Sequence, residues 1–259
     1  MATSRRLELA KTLAGQLRTR EGRNLVAVGV YGSVARGEDR AHSDVDVLVV
    51  LRRKRAAIRH FVRDGILITI LQQTPQEARA EVTGSRGDLN AALGGWRSLR
   101  PLYDPSGLLR KLMKRARDPT EAQFREAARR ALIETYEDLG KVRNAVDVGD
   151  EQESREMAVW YAGAAAGALL DLHRHVLRTG RRAFIEIRRY GAVGEAIRRL
   201  RHETLSLVET RRVAEASWAG LLALAQRKGV PLPKFAGLAE VFRLENPLTS
   251  RREGPTSAS

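Results

Sequence analysis

The chain has no cysteine, which excludes disulfides, thiolate metal sites and a cysteine nucleophile. Aromatic residues make up 5% of its 259 residues, and nothing resembles an RNA-binding module or a row of stacking rings. Long apolar runs are also missing. The most apolar stretch, residues 157–170, is too short to cross a bilayer and is flanked by Arg155, Asp171 and His173, so it reads as a buried helix. Residues 1–20 are charged throughout and lack an apolar leader core. The expectation is a cytoplasmic protein with no membrane association, whose chemistry rests on carboxylates, hydroxyls and cations.

What is present in quantity is positive charge. The formal net charge is +15, which fits an anionic partner such as a nucleotide, RNA or DNA. The cations are nonetheless spread along the chain, often beside glutamate, as in Arg125-Glu126 or Glu153-Arg155-Glu156. An ion-paired surface of the kind found in heat-adapted, thermostable proteins explains them equally well. Hydrophobic residues at 43% and charged residues at 30% are ordinary for a folded protein, and the length suits two domains.

Leu7, Leu9, Leu13 and Leu17 predict an amphipathic helix over residues 4–17. Valine-rich runs at 25–31 and 46–51 predict buried strands, with a third at 66–71. Residues 53–62 read as a helix, 75–82 as a helix opening on Pro75, and 88–95 as a loop or short helix. A further strand is expected near 98–103, then a turn at 104–107 and a helix over 108–116. Beyond 118 only helical patterns remain, at 121–146, 151–178 and 192–228. The expected fold class is α/β plus all-α: a mixed-sheet domain over 1–118, a helical bundle over 119–249 and a flexible tail over 250–259.

Chemistry concentrates in residues 28–51. Gly32-Ser33 follows a strand and opens a helix, where backbone amides and the Ser33 hydroxyl can cradle a phosphate. Eleven residues after Ser33, Asp44 and Asp46 stand at i and i+2 at the head of the next strand. That spacing turns both carboxylates to one face, where they can share a hard divalent cation such as magnesium. Each feature alone is commonplace; the combination demands a chemical explanation.

The pattern G-S-x-A-R-G followed by S-D-x-D resembles the signature of the polymerase β-like nucleotidyltransferases. Within that superfamily, residues 26–33, 101–112 and 134–144 are similar to kanamycin (aminoglycoside) nucleotidyltransferases, a likeness running from about residue 25 to about residue 175. The resemblance implies transfer of a nucleoside monophosphate from an NTP, most simply ATP with Mg2+, to a hydroxyl of a small molecule such as an aminoglycoside. It implies nucleotide binding by Gly32, Ser33, Arg36 and Lys141, metal binding by Asp44 and Asp46, and a general base at Glu137. It also implies a homodimer in which Glu137 of one chain faces the aspartates of the other. Glu137 and Lys141 lie one helical turn apart, which is equally the spacing of an ordinary surface ion pair. Arg36 and Arg143 are equally open to a bland reading as solvated surface cations in so basic a chain, and Asn144 reads as a helix end.

One departure stands out. The strand after the metal pair supplies a third acid in the family, and here that position falls on Thr69, with no acid anywhere from 66 to 76. Asp64 is a weak substitute. The rate, the metal count and the acceptor are left open by this loss. The histidines form no metal cluster, with His173 and His175 on different faces of a helix. Trp96, in a Gly94-Gly95 loop, is placed to stack on a base or sugar, whereas Trp160 and Trp218 are expected in the core. A reading of another class is a nucleotidyltransferase-type antitoxin, or a non-catalytic nucleotide-binding partner of a helical protein; such antitoxins resemble only the first hundred residues. Nucleic acid as the acceptor is not favoured.

Overall fold

A computed structural model describes residues 4–84 and 88–233. The expected tail over 250–259 lies outside the described residues. The chain opens with α1 (Arg5–Glu21), capped by the Ser4 side chain, and continues into β1 (Leu25–Tyr31), the short helix α2 (Gly32–Arg36) and β2 (Val45–Leu51). Next come β3 (Ile58–Arg63), β4 (Ile66–Gln73), α3 (Pro75–Thr83), α4 (Leu89–Ser98), β5 (Arg100–Tyr103) and α5 (Leu108–Arg117). The five strands form one mixed sheet in the order β3-β4-β2-β1-β5. Only β2 and β4 run parallel.

Alternation along the strands divides the apolar residues between two faces. Val28, Val30, Val45, Val47 and Val49 pack against α1 through Leu7, Ala10 and Ala14. Ala27, Leu48 and Val50 face the other way, into a core shared with α3, α4 and α5. Tyr31, Asp46 and Thr69 occupy adjacent register positions on that second face. Tyr31 ends β1 and Asp46 is the second residue of β2, so these two lie where the apolar face gives way to the cleft, while Thr69 is buried in the middle of β4.

The helical half consists of α6 (Glu121–Val148), α7 (Glu151–Leu172), the one-turn α8 (Ala183–Glu186), α9 (Gly191–His202) and α10 (Leu207–Arg227). A capping box starts α6, where Thr120 accepts from the Gln123 amide and Gln123 reaches back to the Thr120 amide. Small residues of α7, among them Ala158, Ala162 and Ala165, allow α6 and α7 to pack closely around Leu132, Leu139 and Tyr161. The core under α4 and α5 continues into Phe124 and Ala127 of α6, so buried contacts join the sheet half to the first turns of the long helix. Among the described residues no helix is long and apolar enough to cross a membrane.

Several sequence expectations are corrected. Residues 58–63 form an edge strand, although 53–62 reads as a helix. Every residue of β3 is exposed, so no one-sided alternation marks it. The legible signal is Asp64-Gly65, whose φ values of 51° and 72° make the two-residue hairpin turn to β4. Residues 88–98 make a full helical element with Asp88 as its cap, so Trp96 sits on a helix and is buried. Asn144 lies inside α6 and ends nothing. The patterns at 151–178 and 192–228 are interrupted: α7 stops at Leu172, and residues 203–206 separate α9 from α10. His173 and His175 follow α7, with His173 stacked on Tyr190 and His175 bonded to Tyr190 and Glu186. Trp160, expected in the core, is 66% exposed, while Trp218 is buried as expected.

Candidate active site

Gly32 turns the chain out of β1 with φ 71°. A Cβ at this position would stand 2.7 Å from Asp46 Oδ2, so glycine is required both for the backbone conformation and for the approach of the carboxylate. The helix it opens, α2, is five residues long and closes at Gly37 in a left-handed conformation. Its short length leaves little macrodipole, so the value of the turn to an anion lies in its backbone amides and in the half-buried Ser33.

The loop that delivers Asp44 is held from α1. Arg6 donates through Nε to the Ser43 carbonyl at 2.7 Å and through Nη2 to the Ala41 carbonyl at 2.5 Å. The Arg40 amide in turn donates to Ser43 Oγ at 2.8 Å. Strand β2 then begins at Val45 and carries Asp46 beside Tyr31 of β1 and Thr69 of β4. Burial, and Asp44 close by, push the Asp46 carboxyl up to about 6 against the opposing pull of Arg36. Burial and the charges of Asp46, Glu81 and Asp44 raise the Tyr31 hydroxyl.

These groups line a cleft of about 450 Å³ between the sheet half and the helical half. Gly32, Ser33, Arg36, Asp44 and Asp46 form one wall; Gly163 and Gly167 of α7, with Arg178 and Arg181, stand opposite. The approach is fixed by Asn90, which is buried. Its side chain donates to the His175 carbonyl and accepts from the Leu177 amide. Arg178 and Arg36 both donate to the Glu38 carboxylate, which holds that carboxyl below the usual range. The sequence-predicted residues Gly32, Ser33, Arg36, Asp44 and Asp46 are thus brought together.

Glu137 and Lys141 are not among the residues lining this cleft. Lys141 Nζ lies 2.8 Å from Asp138 Oδ1 and 3.0 Å from Glu137 Oε1, and these partners raise the Lys141 ammonium, Asp138 more than Glu137. The Glu137 side chain is 69% exposed. Arg143 is engaged elsewhere, in a two-pronged pair with Glu215 of α10. Trp96 donates its indole N–H to Glu81 at 3.2 Å and is not free to stack.

The residues present fit a magnesium ion shared with a polyphosphate. Mg2+ commonly takes one or two protein carboxylates and completes its shell with water and phosphate oxygens. Asp44 and Asp46 supply that donor set, and among the described residues no group of three or more metal-binding side chains exists. In the register Thr69 pairs directly with Asp46. Its hydroxyl lies 3.2 Å from His60 Nδ1 of the edge strand. Asp64 sits in the hairpin turn and contacts Arg5 and Arg63; it does not line the cleft.

Among the residues lining the cleft, sequence reasoning missed Tyr31, Asp88, Arg178 and Arg181. Tyr31 adjoins the glycine and could have been found from the strand alternation. Asp88 and the arginines reach the site only through helix and segment placement, for which no local pattern exists.

Residues 10–81 match the family model described as a nucleotidyltransferase domain. Aminoglycoside nucleotidyltransferases (4′) from Bacillus sp and from Staphylococcus aureus are each 25% identical to the chain over 181 residues, covering 69% of it and 71% of their own length. A solved nucleotidyltransferase-like protein from Exiguobacterium sibiricum 255-15 shares the fold, with a TM-score of 0.58 at 13% identity, covering 86% of this chain and 77% of that one.

Proposed function

We propose that this chain, an enzyme built on a nucleotidyltransferase domain, transfers a nucleoside monophosphate from a magnesium-bound NTP to a hydroxyl of a small molecule and releases pyrophosphate. The observation that carries the reading is the crowding of Asp44 and Asp46 against the Gly32-Ser33 turn, in a cleft whose rim bears Arg36 and Arg178. Mg2+ held by the two carboxylates would neutralise triphosphate charge in the reaction.

The rest is supplied by side chains and backbone. Amides of the Gly32-Ser33 turn and the Ser33 hydroxyl orient the phosphates, and Arg36 balances their charge. The acceptor oxygen forms a bond to the α-phosphorus as the α–β bridging bond breaks, and pyrophosphate departs. Glu137 takes the acceptor's proton, and Lys141 neutralises charge on the leaving group.

Because Glu137 and Lys141 lie outside the cleft of their own chain, this mechanism calls for a homodimer in which each subunit completes the other's site. The surface supports that arrangement: Ile133 and Tyr136 are 46% and 53% exposed beside Glu137 on α6. An aminoglycoside-like acceptor is what the similar proteins' names suggest.

The test follows pyrophosphate release from ATP, GTP, CTP and UTP with Mg2+ and an acceptor panel, against an Asp46→Ala control. Release that needs both an acceptor and Asp46 supports the reading; release unaffected by Asp46→Ala sinks it. Mixing the Asp46→Ala and Glu137→Gln chains tests the shared site. Statistical mixing leaves half the dimers with one intact site, so roughly a quarter of the activity returns. No recovery would place both groups in one chain.

A further inference from the structure

Beside the cleft lies a second cavity, of about 290 Å³, that none of the groups in the proposed mechanism explains. Its floor is Leu48 and Leu71, which are register partners on β2 and β4. Ala92, Trp96 and Leu99 form its side. Tyr31, Asp88, Ala91 and Gly95 belong to both spaces, so the cavity opens along the wall that bears the Asp46 end of the sheet. Tyr31 is the partition between the two, paired with Asp46 in register.

The lining is apolar except at three places. Glu81 Oε2 accepts from Gln73 Nε2 at 2.6 Å and from Trp96 Nε1 at 3.2 Å, so it is already committed to two donors. Asp88 is the cap of α4 and accepts from the Ala91 amide at 3.1 Å. The third polar group is the Tyr31 hydroxyl. A polycationic sugar placed here would lose the hydration of several ammonium groups against only two carboxylates in the lining, Glu81 and Asp88. An aliphatic or aromatic body would gain by leaving water.

We propose that this cavity receives the apolar body of the acceptor while its hydroxyl reaches the Asp44/Asp46 end of the cleft, and that the acceptor is an amphiphilic alcohol with at most one cationic group. The assignment rests on the nucleotidyl-transfer reading above. Loss of the third acid at Thr69 agrees with it, since a neutral acceptor needs fewer carboxylates around it. Tyr31, at the junction, would separate the reacting end of the acceptor from its body.

The experiment measures binding directly, by ligand-observed NMR, with 1-butanol, 1-hexanol and 1-octanol as probes. Magnesium-ATP binding is recorded in the same samples. In the wild-type chain affinity should climb about fourfold per added methylene. Two cavity-filling variants, Ala92→Phe from α4 and Leu71→Phe from β4, should weaken octanol binding tenfold or more, with thermal melting as the check that each has folded. Asp46→Ala should lose magnesium-ATP and keep octanol.

Turnover supplies a second arm: alcohols of increasing length should stimulate pyrophosphate release better than kanamycin, and both filling variants should abolish the advantage. Octanol binding indifferent to both variants, with nucleotide binding intact, would overturn the cavity assignment alone. Failure of the wild-type chain to bind any magnesium nucleotide would remove the transfer reading and the acceptor role with it. Kanamycin-driven release equal in wild type and variants would show that the acceptor lies elsewhere.

Discussion

The Gly32–Asp46 region and the Glu137–Lys141 face of α6 carry the two halves of the proposed chemistry, and the fold treats them differently. Residues 32–46 are determined by their surroundings: a glycine at positive φ, a loop tied down by Arg6, and a strand inserted between two others. Glu137 and Lys141 project from an exposed helix face and are satisfied by each other and by Asp138. A site that must hold crowded charge is built on buried backbone. Groups that serve only when a second body arrives can wait in solvent, paired locally at little energetic consequence.

The sharpest way to break the comparison is at Asp46. Asp46→Ala should reduce pyrophosphate release by about a thousandfold or more, the scale expected when a charge-stabilising group is lost from a preorganised site. Its thermal melting should stay level or rise, because the substitution relieves a crowded carboxylate; a large fall in melting temperature would mean that Asp46 is chiefly structural. Glu137→Gln is expected to lower kcat by about a hundredfold, within the range for a general base. Magnesium-ATP affinity and melting should be unchanged, and a variant with wild-type kcat would return Glu137 to an ordinary surface ion pair.

Gly32→Ala sharpens the contrast from the backbone side. The strained φ and the clash with Asp46 should cost about 1–2 kcal/mol of stability and about tenfold in kcat. Denaturant titration and steady-state rates read the two effects together, and a neutral result would mean that the turn relaxes freely.

The helical half offers a contrasting buried acid. Asp171 is 5% exposed and has one oxygen without a hydrogen-bond partner. Burial and the nearby Asp88 charge push it up to about 7, with Arg130 and the Asn90 hydrogen bond pulling the other way. Between its ordinary value near 4 and about 7, the folded chain binds more protons than the unfolded one. Stability therefore falls as pH rises through that window and stays reduced above it. Asp171→Asn should stabilise the chain at pH 8 by on the order of 2 kcal/mol and by much less at pH 4. Urea titrations giving the same gain at both pH values would refute the account.

Much of the fold can be read along the chain because its signals are local. The Thr74-Pro75 start of α3, the valine strands and the long helical periods of α6 and α7 are each written in consecutive residues. The edge strand β3 escapes periodicity because both its faces meet solvent, and its hairpin must instead be recognised from Asp64-Gly65. The end of α7 escapes because apolar residues recur past it, where His173 and His175 pack on Tyr190 instead of extending the helix; the end of α9 escapes because the break before α10 is only residues 203–206, with Ser206 capping the next helix. Trp160 escapes because hydrophobicity says that a ring favours burial, not whether another element is there to bury it.

By itself the sequence determined the chemistry available: a glycine turn, two aspartates at strand spacing, no third acid, no thiol, and a Glu–Lys pair one helical turn apart. Tertiary structure alone decided which of these meet. Strand register put Thr69 and Tyr31 on either side of Asp46, and Asn90 fixed the segment bearing Arg178 over the cleft. The same folding left Glu137 facing outward. Local spacing obeys the period of one strand or one helix, but proximity between elements depends on how buried faces fit together, and that is settled only when the cores close.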